Sequence, residues 1–179
     1  MKQESNNQQL SPHFRLGEFT KSATARKHGI KNNPPQEAIN NLQALCLGNL
    51  DPLREELGLP VVITSGFRTK ALNSLLAHSS KRSQHMLGQA ADFYVAEPKD
   101  LNLEPGTLNH AKPTRRELLI RAFRLIITSE KIDFDQLIIY PTFIHVSFVS
   151  HQANRHSIMK AQGNGKYCAL TRTAALKLT

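Results

Sequence analysis

The chain has no tryptophan, only 6% aromatic residues and no long basic block, which weighs against a protein that stacks nucleic-acid bases on aromatic platforms. It also lacks any apolar run near the roughly 18 residues that a membrane-spanning helix needs, so no span is expected. Cysteine is scarce. Cys46 and Cys168 lie far apart and outside any C-x-x-C spacing, which argues against a thiolate metal site or a disulfide scaffold, and both read as buried or incidental. The opening "MKQESNNQQLSPHF" shows no basic start, apolar core or small-residue cleavage site, so Sec export is not expected. Synthesis in the cytoplasm is the expectation, and a role outside it would need another exit.

What is present is ordinary in amount and uneven in charge. A chain of 179 residues with 40% hydrophobic content can bury roughly two-thirds of its unfolded surface, so one domain is expected without disulfide or structural metal. A formal charge of +9 favours encounters with polyanions. Nucleic acid, anionic lipid and anionic cell-wall polymer all fit that charge. Residues 1–12 are polar and Gln/Asn-rich and are expected to be loose, leaving 13–179 as the domain.

From Pro35, the apolar positions Ile39, Leu42, Leu45, Cys46, Leu50 and Leu53 recur mostly at three- and four-residue steps, the pattern of an amphipathic helix. Pro52 lies inside it, so either the helix kinks there or Asp51 caps a second segment with proline in its first turn. "VVIT" (61–64) predicts a strand ending at Ser65-Gly66, "TKALNSLLA" (69–77) a short helix, and "AADFYV" (90–95) a strand. A loop is expected from Glu97 to Pro113. Thr114 with Glu117 forms a capping box opening a helix over "RRELLIRAFRLIITS". "DQLIIY" and "FIHVSF" read as paired strands, and Asn164-Gly165 sits between two strand-like runs as a hairpin turn. The pattern is α+β, with helices mostly first and an antiparallel sheet built late.

The stretch "RSQHMLGQAADFYV" (82–95) holds His85 and Asp92 seven apart. Alone, that pair is better explained by a surface histidine and a capping aspartate than by part of a metal site. In the later strand, however, Ile144, Val146 and Phe148 alternate with Phe143, His145 and Ser147, which leaves His145 on the face away from the core. Asp92 alternates in the same way with Phe93 and Val95. His85 can fold back across Gly88 towards Asp92. Two nitrogens and one oxygen suit Zn²⁺ with a fourth position left for water, which is the arrangement of a catalytic site.

Three segments in order, "TSGFRT" (64–69), "SQHMLGQAADF" (83–93) and "DQLIIYPTFIHVSF" (135–148), resemble the M15 peptidases, which are zinc D-Ala-D-Ala carboxypeptidases and phage or bacterial L-alanyl-D-glutamate endopeptidases. The segments "HFRLGEFTKSATARKHGIKNNPP" and "NLDPLREELGLPVVITSGFR" are similar to the C-terminal-type domain of subfamily A, so the resemblance runs from about residue 13 to 170. It implies a Hedgehog/DD-peptidase-like α+β fold, with helices packed on one side of an antiparallel sheet. It also implies one Zn²⁺ held by His85, Asp92 and His145, and cleavage of an amide bond in peptidoglycan stem peptides. Arg68 corresponds to the arginine near the substrate, where a guanidinium fork can hold a carboxylate or polarise a carbonyl. Ser83 corresponds to the serine two before the first ligand and is a candidate donor to bound peptide.

The sequence departs from the family where many members carry a carboxylate three residues before the last histidine, or a histidine two before it. Here those positions are Thr142 and Phe143. Losing a positioned general base typically forfeits about 10² to 10⁴ in rate. Tyr140 is a candidate donor to the oxyanion or leaving amine, and His151 and His156 are candidates to swing in. Asp135 and Gln136 read as anchors of their strand. The alternative to a peptidase is a catalytically impaired, metal-containing module that binds wall peptide. No specific nucleic-acid partner and no membrane span are expected, and release through membrane holes made by another protein is the route expected if the chain is phage-derived.

Overall fold

Two one-turn helices, α1 (Leu16–Thr20) and α2 (Ala23–Lys27), come first in the computed structural model, which describes residues 7–77, 79–96 and 113–179. The expected loose segment overlaps the described chain at residues 7–12. There Leu10 and Ser11 are buried, and the Ser11 hydroxyl donates to Asp51 at 3.0 Å.

The amphipathic run after Pro35 forms helix α3 (Gln36–Leu45), a wide π turn (Cys46–Leu50) and helix α4 (Asp51–Leu57) in unbroken succession. Pro52 explains the wide turn. In a regular helix its N–H would bond the Gly48 carbonyl, but proline has none and its ring crowds that carbonyl. The chain instead widens to an i→i−5 bond, from Asp51 N–H to the Cys46 carbonyl. Gly48 is left with a spare acceptor, and the Asp133 N–H fills it at 3.0 Å. Proline thereby ties this helix to the segment leading into the third strand. Proline does stand in the first turn of a second segment, but Asp51 does not cap it.

Strand β1 (Val61–Ser65), helix α5 (Lys70–Leu75), a 3₁₀ turn (Gln84–Leu87) and strand β2 (Ala90–Val95) follow. Beyond Pro113 come α6 (Arg115–Thr128), β3 (Gln136–Ile139), β4 (Ile144–Ser147), β5 (Ser157–Gly163), β6 (Lys166–Ala169) and α7 (Arg172–Leu176). The expected loop at 97–113 falls almost wholly outside the described residues. The capping box of Thr114 and Glu117 is formed at the start of α6.

The six strands form one sheet in the order β1-β2-β4-β3-β5-β6. Its pairings are antiparallel except β3 with β5, which run parallel. The sheet is therefore mixed where a wholly antiparallel one was expected, because the segment between β4 and β5 returns the chain to the far side of β3. One face carries Ala91, Phe93, Val95, Leu137, Ile139, Ile144 and Val146, and packs with Leu42, Leu45, Leu50, Leu53 and Phe123 of the helices into one apolar cluster.

The β5–β6 hairpin turns at Asn164 (φ 49°) and Gly165 (φ 71°), two successive left-handed residues that suit the twist of the flanking strands. Asn164→Ala is expected to cost about 1 kcal/mol, because alanine tolerates that conformation less well. A lowered urea midpoint with unchanged slope would confirm it.

Candidate metal centre

Strand register builds the floor of the site. Ser65, Asp92, His145, Ile138 and Met159 are successive cross-strand partners on β1, β2, β4, β3 and β5, so they form one row on the face opposite the core. Asp92 and His145 are direct neighbours in that row. His85 reaches it from the 3₁₀ turn. Gly88 ends that turn in the left-handed region (φ 71°) and packs so closely on α3 that a Cβ there would stand 2.3 Å from the Ala38 carbonyl oxygen. Across the turn, the His85 carbonyl accepts the Arg68 N–H at 3.1 Å, binding the turn to the end of β1.

Three donor atoms meet at this point. His85 Nε2 lies 3.2 Å from His145 Nδ1 and 3.3 Å from Asp92 Oδ1, and His145 Nδ1 lies 2.8 Å from the same oxygen. Arg68 Nη2 donates to Asp92 Oδ2 at 2.8 Å, while its Nε and Nη2 both donate to Ser65 Oγ. Burial lowers the His85 pKa and favours its neutral ring. Burial would raise Asp92, but its contacts with His85 and His145 outweigh it and hold this carboxyl well below the usual range.

The donor set suits a divalent metal. His85 Nδ1 is 2.7 Å from the Gly66 carbonyl, so that nitrogen carries the proton and the Nε2 lone pair faces the cluster. One proton on His145 Nδ1 serves either Asp92 or His85 well, whereas a cation serves all three lone pairs. Tetrahedral zinc with bonds of about 2.0–2.1 Å places its ligand atoms roughly 3.3 Å apart. The two separations from His85, 3.2 and 3.3 Å, are close to that value, and the 2.8 Å between His145 and Asp92 is shorter. Among the described residues, no other group of three potential ligands converges in this way.

Asp92, His145, Ile138 and Met159 of the cross-strand row line a cleft of about 1060 Å³. Arg68, Ser83 and Tyr140 all line it. The Ser83 hydroxyl has no hydrogen-bond partner among the described residues. The Tyr140 ring stacks on Phe143 at 4.1 Å, and its hydroxyl lies 3.0 Å from that of Tyr167. Burial, then the Tyr167 hydroxyl, raise the Tyr140 pKa, so this phenol stays protonated at neutral pH. His151 and His156 do not line the cleft. Both bond Asp133 instead, at 2.7 and 2.8 Å.

Sequence reasoning missed Gln84, Arg155 and Tyr167 in the cleft wall and gave Asp135 only an anchoring role. Asp135 is buried and accepts from Gln84 at 2.9 Å and from the backbone and side chain of Arg155, while Ser147 Oγ contacts it at 3.4 Å. It joins the turn bearing His85 to the strand bearing His145. Burial raises its pKa, but the Arg155 and Gln84 hydrogen bonds prevail and bring it down to about 2. A depressed carboxylate adds stability that is present above its unfolded pKa, near 4, and is lost as pH falls through about 2. The loss is expected to be about 2 kcal/mol. Urea midpoints at pH 5 and pH 2.5 check it: the gap between wild type and Asp135→Asn should shrink on acidification.

The family model described as Peptidase M15 matches residues 12–121. The chain belongs to the peptidase M15 family. No curated protein matches it. M15 peptidases are metallopeptidases, and the buried His85–Asp92–His145 group could hold their metal. The match covers Arg68, Ser83, His85 and Asp92 but stops short of Tyr140 and His145. Those last two join the M15 segment through the β2–β4 and β3–β4 pairings.

Proposed function

We propose that this M15 peptidase is zinc-dependent and hydrolyses an amide bond in peptidoglycan stem peptides, of the D-Ala-D-Ala or L-Ala-D-Glu type. The observation that carries this reading is the convergence of His85 Nε2, His145 Nδ1 and Asp92 Oδ1 on the floor of an open cleft. Zn²⁺ would be held by these three atoms, and when bound it would polarise the scissile carbonyl and lower the pKa of a water. Arg68 braces Asp92 and keeps its Nη1 for the substrate, since no described residue accepts from it. Ser83 donates a hydrogen bond to the peptide backbone. Tyr140, held protonated and oriented by Phe143 and Tyr167, donates to the oxyanion or the leaving amine. Arg82 and Lys166 at the cleft wall suit an anionic wall polymer.

Incubation of the zinc-loaded protein with purified peptidoglycan, read by mass spectrometry, should yield new stem-peptide fragments. Their absence would overturn the hydrolase reading and favour the wall-peptide binding module. That second reading has its own support. Thr142 is exposed and Phe143 is stacked on Tyr140, and the only carboxylates among the described cleft residues are Asp92 and Asp135, both already engaged. No helix among the described residues is long and apolar enough to cross a membrane.

A further inference from the structure

Beside the cleft, on the other side of Arg68, lies a second cavity of about 540 Å³. Arg68 and Leu76 line both, so the two spaces adjoin around one guanidinium. The second cavity also presents Lys21, Arg26, Thr64 and Ser65, and no carboxylate is among its described lining residues. Lys21 and Arg26 are exposed and form no ion pair with any described residue. Arg68 contributes its two Nη1 hydrogens, because Nε and Nη2 are spent on Ser65 and Asp92. Its side chain is only 15% exposed, so a charge meeting it there is partly screened from water.

We propose that this cavity is a substrate subsite that takes the carboxylate of a residue flanking the scissile amide, an inference that rests on the peptidase reading. Three cations around a space without an acid select an anion. The Ser65 hydroxyl and the Nη1 hydrogens of Arg68 favour an anion that accepts several hydrogen bonds, the Thr64 hydroxyl being already given to the Asp92 carbonyl. Leu76, shared by both spaces, supports the apolar part of the peptide as it passes from one to the other. Arg68 then has two tasks. It braces Asp92 on one side and fixes the substrate's acidic group on the other, which sets the distance from that group to the bond being cut.

The test measures binding and cleavage separately, using fluorescein-labelled tripeptides with D-Glu or D-Gln at the central position. On the zinc-loaded wild type, anisotropy should show the acidic peptide binding about tenfold more tightly than its amide. In the Lys21→Glu/Arg26→Glu double variant that ratio should fall to about one, and in Lys21→Gln/Arg26→Gln to an intermediate value. The neutral pair keeps the test decisive should the charge reversal fail to fold. A wild-type ratio near one, or a ratio unchanged in either double variant, overturns the subsite. A wild type that discriminates in binding yet cuts no stem peptide overturns the hydrolase reading instead.

Discussion

His145→Ala is expected to leave the protein folded and to abolish both tight zinc binding and peptide cleavage. The side chain stands on the sheet face away from the apolar cluster, so its removal opens no cavity in the core. It removes one of three donors, leaving His85 and Asp92 with Arg68 still paired to the carboxylate. Loss of mere supporting contacts around a metal site already costs about 10- to 100-fold in affinity, so loss of a donor should exceed 10²-fold. If the metal supplies about 4 kcal/mol of transition-state stabilisation, cleavage falls roughly 10³-fold. Metal content after dialysis and fragment release from peptidoglycan check the two parts separately. A variant that retains zinc but loses cleavage would move His145 from metal holding to proton transfer.

Gly88→Ala is expected to damage fold and site together. A left-handed φ costs a non-glycine residue about 1–2 kcal/mol, and a Cβ 2.3 Å from the Ala38 carbonyl oxygen meets backbone that cannot rotate away. The total should be about 3 kcal/mol, a fall in Tm of roughly 6–12 °C for a domain of this size. The clash relaxes most readily by lifting the 3₁₀ turn off α3, which carries His85 away from Asp92. Displacement by about 1 Å can cost 10²-fold in rate, so activity should fall further than stability alone explains. Thermal melts with zinc titration test this. Wild-type values for both would mean that the turn is not pinned by its contact with α3.

The legible parts of the molecule are those in which one local period dominates. The 3.6-residue spacing of Leu42, Leu45, Leu50 and Leu53 and the two-residue alternation around Asp92 and His145 each dictate a face, and Asp92 and His145 follow as candidate ligands from those faces. His85 rests instead on its position across Gly88 and on the family resemblance. Asn164-Gly165 announced its hairpin through turn chemistry alone. What could not be read was long-range pairing. Nothing in residues 148–156 says that the chain passes to the far side of β3, so Tyr167 could not be placed beside Tyr140, nor Arg155 beside Asp135. The π turn at Pro52 was hidden for a related reason, because its stabilising partner is the distant N–H of Asp133.

The strand order separates two duties. Asp92 and His145 belong to β2 and β4 inside the sheet, whereas Tyr167 and Lys166 belong to β6, a strand exposed along its whole length at one edge. Changes confined to β6 therefore leave β2 and β4 untouched, whereas β5 is paired along β3 and buries Ile158. Substitutions on β6 can reshape the cleft wall and the partner of Tyr140 while the three candidate metal ligands stay in place.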